Sequence, residues 1–310
     1  MAERVAGIDC GTNSIRLLIA EPGPSGLVDV HREMRVVRLG EGVDRTGRLS
    51  AAALERTRAA LVDYVSLIRS HEAVRVRMVA TSASRDAANA DEFRSMVKGI
   101  LGVEPEVISG VEEALLSFRG AVAGLPGVLG RSGPLLVADI GGGSTELVLG
   151  SASSGVVDAS FSMNVGCVRM TERHLVSDPP TAAEIDATVL DLRAALDEAG
   201  THVPVADAQT FVGVAGTVTT IAAIALGLPA YDAEVIHASV VSFADVASVT
   251  ARLLAMTRAE RAALPVMHPG RVDVIGGGAL ILRTLMEFVG ADEVVVSEHD
   301  ILDGIALSLL

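Results

Sequence analysis

Aromatic side chains are scarce. The chain has no tryptophan, two tyrosines and six phenylalanines. Surfaces that bind single-stranded nucleic acid stack bases on aromatic rings, so this composition argues against that class. A core without large rings must be filled by Val, Leu, Ile and Ala, as in an α/β protein. Positive charge is also in deficit: 25 Lys and Arg stand against 39 Asp and Glu, a net charge of −14. Nonspecific binders of nucleic acid or anionic membrane carry a basic footprint, and neither partner is expected here. A polyanionic substrate would need a local basic groove set against that acidic average. The two cysteines, Cys10 and Cys167, form no disulfide framework, and no Cys/His spacing fits zinc. No uninterrupted apolar run approaches a membrane span. The first residues reach Asp9 through Glu3 and Arg4 and do not read as a signal peptide. A cytoplasmic protein is the expectation. What is present is 310 residues, half of them apolar, enough for two domains or one large one.

The most informative stretch is Leu135–Leu149, LLVADIGGGSTELVL. Two apolar runs bounded by glycines read as a hairpin of two strands. Its Gly and Ser/Thr N–H groups form a concavity suited to phosphate. Asp139 and Glu146 bracket that loop, and two carboxylates beside phosphate suggest a hard cation such as Mg²⁺. By itself the stretch reads equally well as a glycine-rich turn with a capping aspartate. It has a partner, however. Asp9-Cys10-Gly11-Thr12-Asn13-Ser14 aligns with Asp139-Ile140-Gly141-Gly142-Gly143-Ser144 at an offset of 139 − 9 = 130 residues. A repeated strand–loop–strand unit predicts two related half-molecules.

Between the repeats the pattern predicts an antiparallel meander, then a helix capped by Ser50 with apolar positions Leu54, Leu61, Val65 and Ile68. A strand over 74–80 leads to a polar loop in which Arg85 is placed to meet an anion or to pair with Asp86 or Asp91. After the next strand, Ser109 reads as an N-cap with Glu112 at N3, a capping box. That leaves Glu113 without a structural duty, and so the better candidate for a general base. The Gly/Pro-rich stretch Gly124–Pro134 predicts a domain boundary. In the second half, Arg169 is a candidate anion contact, and Thr181 with Glu184 forms another capping box. Gly216 and Thr217 follow a strand and open a helix, an arrangement that presents N–H groups to an anion. His237, His268 and His299 are scattered and carry no assigned chemistry.

Together these motifs resemble a known family. Asp9-x-Gly-Thr-Asn-Ser-x-Arg16, Ser109-Gly-x-Glu-Glu-Ala114, Asp139-Ile-Gly-Gly-Gly-Ser-Thr-Glu146 and Gly216-Thr-x-Thr-Thr220 occur in the order and spacing of the exopolyphosphatase/guanosine pentaphosphate phosphohydrolase family. That family belongs to the sugar kinase/actin/heat-shock ATPase superfamily. The resemblance implies an α/β fold of two ribonuclease H-like (actin-like ATPase) domains around a central cleft. The first would span 1–127 with 298–310 packing back on it, the second 128–297. It implies hydrolysis of a terminal phosphoanhydride of inorganic polyphosphate with Mg²⁺, or Mn²⁺ in its place. Glu113 would be the base and Arg85 would act beside it. Asp139 and Glu146 would bind metal, with Asp9 as a third candidate. Asn13, Ser14, Arg16, Gly141, Gly142, Gly143, Ser144 and Thr145 would contact phosphate, as would Gly216 and Thr217. Guanosine pentaphosphate is the alternative substrate. An ATP-dependent kinase with a nucleotide pocket around Gly276–Gly278, and a non-catalytic phosphate or nucleotide sensor, are the rival readings. A homodimer is compatible with the sequence. Longer members carry an additional C-terminal helical domain, for which this sequence has no room. Many relatives have a basic residue where Asp303 precedes Gly304 here, which predicts a weaker positive groove near the terminal helix.

Overall fold

A computed structural model describes residues 3–23, 26–125 and 133–310. Most of the expected boundary, 126–132, lies outside the described residues. The chain divides into two compact units, Met1–Ala123 with Asp300–Leu310, and Gly124–His299.

The first unit is built on a five-stranded sheet of β1 (Val5–Cys10), β2 (Ser14–Gly23), β3 (Gly26–Val36), β4 (Arg75–Ala80) and β5 (Glu106–Val107), in the order β3-β2-β1-β4-β5. β1–β3 form an antiparallel meander, and β4 and β5 run parallel to β1. Every residue of β1 is buried, as expected of a strand covered on both faces. Alternation then sorts its side chains. Ala6, Ile8 and Cys10 pack with Leu61, Tyr64, Phe93 and Val97 from the Ala51–Ser70 and Ala90–Leu101 helices. Val5 lies on the other face with Leu302 and Ala306 of the Ile301–Leu307 helix. Asp9 shares that second face. Ser50 caps the Ala51–Ser70 helix through Ala53 N–H as the sequence predicts, but the buried stripe runs through Tyr64 rather than Val65.

The second unit repeats the plan. β6 (Leu135–Ile140), β7 (Thr145–Gly150), β8 (Val157–Met163), β9 (Thr210–Val214), β10 (Val240–Ser242) and β11 (Glu293–Val296) are ordered β10-β11-β9-β6-β7-β8. The order β8-β7-β6-β9-β11 matches β3-β2-β1-β4-β5, and the short β10 adds an antiparallel edge. Both capping boxes of this unit form, at Thr181–Glu184 and Thr257–Glu260. The repeat extends to the turns. Gly11 N–H donates to Ser14 O at 2.9 Å, and Gly141 N–H to Ser144 O at 3.0 Å. Among the described residues no helix is long and apolar enough to cross a membrane.

Asp303, which stands before Gly304, has a local structural role. It is buried, serves as the N3 acid of the capping box begun by Asp300, and accepts from Arg32 Nη2 at 2.5 Å.

Candidate active site

In the first unit the base candidate sits where the helix-start argument placed it. Glu113 is buried in the first turn of the Gly110–Ala123 helix. Ser109 accepts from Glu112 N–H at 3.2 Å, which is half of the expected capping box. The Glu112 carboxylate accepts from Arg77 at 2.9 Å. Arg85 lies in the Ser82–Asp86 helical turn that follows β4. Its Nη1 donates to Glu113 Oε2 at 3.1 Å and to Ile108 O at 2.9 Å. Asp86 and Asp91 are not its partners in these bonds. Nη2 and Nε are on the unused side of the planar fork, the geometry by which arginine recognises phosphate. A buried carboxylate is thus oriented by a guanidinium that keeps donors in reserve.

The repeated loops differ where it matters chemically. In the first unit Asp9 is in register with Arg16. Arg16 donates twice to Asp9 Oδ2, at 2.9 Å from Nε and 2.6 Å from Nη2, and also pairs with Asp300 Oδ2. Burial raises the Asp9 pKa while Arg16 pulls it down, and the two carboxylates hold the Arg16 proton firmly. Asp9, Arg16 and Asp300 thus form one ion-paired group behind the first loop. Asn13 contributes its carbonyl to the N–H groups of Val37 and Arg38, at 3.1 and 2.8 Å, and Ser14 opens β2.

In the second unit the corresponding pair is Asp139 and Glu146, again in register across β6 and β7. Both are buried, at 6% and 1% exposure. Like charges directly opposite on neighbouring strands destabilise a sheet, and two carboxylates in one site cannot both ionise freely without compensation. Ser162 donates to Glu146 Oε1 at 2.7 Å. The candidate ligands are two carboxylates, hard oxygen donors that fit a hard divalent cation. Among the described residues no group of three or more His, Cys, Asp or Glu could hold a metal. The pair would therefore supply two protein ligands and leave the remaining positions to water and phosphate oxygens, the coordination habit of Mg²⁺.

The glycine loop is braced from behind. Gly141 O accepts from Cys167 N–H and Gly142 O from Val168 N–H, each at 2.9 Å, and Gly143 O from Arg169 Nε at 2.8 Å. Gly166 is required there, since a Cβ would lie 2.4 Å from Gly142 O. These bonds use the loop carbonyls and leave its N–H side to a ligand at Gly142 and Gly143. Thr145 donates its hydroxyl to Val165 O at 2.6 Å. Arg169 ties the loop through Gly143. Ser144 is buried within the loop. Burial pushes the Cys167 thiol up to about 11, which keeps it protonated and unreactive. Burial pushes Cys10 up as well.

Arg271 was missed as a site residue. It covers Gly216 at the start of the Ala215–Ala225 helix, where a Cβ would lie 2.1 Å from its Nη2. Nη1 donates to Thr220 Oγ1 at 2.9 Å. A guanidinium against the positive end of a helix is unfavourable alone, and an anion there would offset both. Ala215 adopts φ 69 at this junction, a strained backbone of the kind that gathers at functional sites. Thr217 is buried between Cys167, to which its side chain is hydrogen bonded, and Gly278. The only signal in the sequence was a single arginine shortly before the Gly276–Gly278 run. All three glycines are buried in the Ile275–Val289 helix, and a Cβ at Gly278 or Gly277 would meet Thr217 Oγ1 at 2.5 Å or Thr171 Oγ1 at 2.6 Å.

The chain is similar to known proteins over nearly its whole length. The profile of the Ppx/GppA phosphatase family matches residues 18–310. Exopolyphosphatase 2 of Mycobacterium tuberculosis is 56% identical over 99% of this chain and 98% of its own. The crystal structure of an exopolyphosphatase-like protein superposes with a TM-score of 0.93 at 47% identity, covering 99% of this chain and 98% of the other. The Aquifex aeolicus Ppx/GppA family member gives a TM-score of 0.82 at 31% identity, covering 100% and 98%.

Proposed function

We propose, from the premise that this chain belongs to the Ppx/GppA phosphatase family, that it hydrolyses the terminal phosphoanhydride of inorganic polyphosphate and releases orthophosphate in the cytoplasm. The observation that carries this reading is Glu113, a buried carboxylate held by Arg85 at 3.1 Å. Glu113 orients a water and takes its proton as the oxygen attacks phosphorus. The P–O bond to the bridging oxygen breaks and the shortened chain leaves. In the first unit Arg85 offers its remaining N–H groups to a phosphoryl group, and in the second unit the Gly142 and Gly143 N–H groups offer a phosphate-binding loop. Arg271 and the helix start at Gly216 hold a further phosphate. Asp139 and Glu146 would hold Mg²⁺, with Mn²⁺ as a substitute, which neutralises charge developing on phosphate oxygens.

Orthophosphate release from short polyphosphate, long polyphosphate, guanosine pentaphosphate and ATP, with and without Mg²⁺, tests the reading. Mg²⁺-dependent release from polyphosphate is expected. Release from guanosine pentaphosphate alone would move the assignment to that substrate, and binding without release would make the chain a sensor. The packed Gly276–Gly278 run speaks against the kinase. Arg271→Met should weaken polyphosphate binding about tenfold, since hydrogen bonds to charged groups contribute roughly 1.5–3 kcal/mol. Titration calorimetry reads this, with an unchanged thermal melt.

A further inference from the structure

We propose that Ser162 is a positioning residue that sets the Glu146 carboxylate for the divalent cation. The inference rests on the metal reading above. Its ground is a row of three residues in register across three strands. Asp139 on β6 faces Glu146 on β7, which faces Ser162 on β8. The equivalent row of the first unit is Asp9, Arg16 and Met34. Where the middle residue is a guanidinium bonded to Asp9, the third has no hydroxyl. Where the middle residue is a carboxylate, the third is a serine that donates to it at 2.7 Å.

The terminal torsion of a glutamate is broad. A donor fixed on one oxygen, Oε1, removes that freedom and aims the other. Partners of this kind behind a metal ligand typically change affinity 10–100-fold when lost. Position 162 allows a clean test, since Ser162 is only partly buried on the edge strand β8. Thr and Val share a shape and both suit a strand. They differ only in the hydroxyl.

Mn²⁺ binding to the full chain, followed by electron paramagnetic resonance, separates the two. Ser162→Thr should keep the unsubstituted affinity. Ser162→Val should raise the Mn²⁺ dissociation constant about tenfold. It should also raise the metal concentration for half-maximal phosphate release, with kcat at saturating metal retained. Glu146→Gln is the control for the site itself. If it leaves Mn²⁺ binding unchanged, the metal reading falls and this inference with it. If it abolishes binding while the Thr and Val variants bind alike, Ser162 has no positioning role and the metal reading stands.

Discussion

Glu113→Gln is expected to lower phosphate release by about 10²–10⁴-fold, the usual contribution of a positioned base, while polyphosphate still binds. The substitution keeps the shape and leaves a carbonyl oxygen to accept from Arg85 and a helix whose first turn is unchanged. It removes only the capacity to take a proton from water. The measurement is kcat at saturating polyphosphate, beside binding by titration calorimetry and a thermal melt. An unimpaired kcat would remove Glu113 as the base. A lost melt transition would mean that the Arg85–Glu113 pair is chiefly structural. The bond of Arg85 to Ile108 O survives the change, so the unit should stay folded.

Gly304→Ala is expected to destabilise the first unit by about 3 kcal/mol, the upper end of ordinary overpacking costs. The added Cβ would lie 2.0 Å from Leu116 O and 2.7 Å from Leu116 C. Both are backbone atoms of the Gly110–Ala123 helix and cannot rotate away. Gly120 is the reciprocal contact, with its Cβ position 1.8 Å from Asp300 O. The two segments meet backbone to backbone, so relief requires the Ile301–Leu307 helix to move. Urea denaturation should show an earlier first transition. Gly99→Ala, inside the Ala90–Leu101 helix with nothing within 4 Å of the added atom, should by contrast stabilise by up to about 1 kcal/mol. Equal effects at the two positions would mean that the close approach is not what Gly304 provides.

The division between what could and could not be read from the sequence follows contact range. Alternation and glycine-bounded runs are local, and they yielded the paired strand–loop–strand units and the placement of Asp139 and Glu146. The Glu113 assignment also rested on local geometry, the N-cap at Ser109. Roles set by distant partners were out of reach. The bond of Arg16 to Asp300, 284 positions away, has no local signature. Nor has that of the Thr145 hydroxyl to Val165 O. The pairing of Asp303 with Arg32, 271 positions away, is equally invisible in the local sequence. Arg271 gained meaning only from the bare backbone at Gly216.

The threading of the first unit bears on the order of events during synthesis. Its sheet is complete once β5 has been made, yet Val5, Leu18 and Ala20 pack against Leu302 and Ala306, and Val79, Ile108 and Leu116 against Ile301 and Ile305. Those partners are translated after every residue of Gly124–His299. An N-terminal half emerging from the ribosome therefore waits with one apolar face uncovered, while the later-made unit can close its own core at once. Such exposed surface invites chaperone binding. Docking of residues 300–310 on this unit also brings Asp300 to Arg16, behind the first loop.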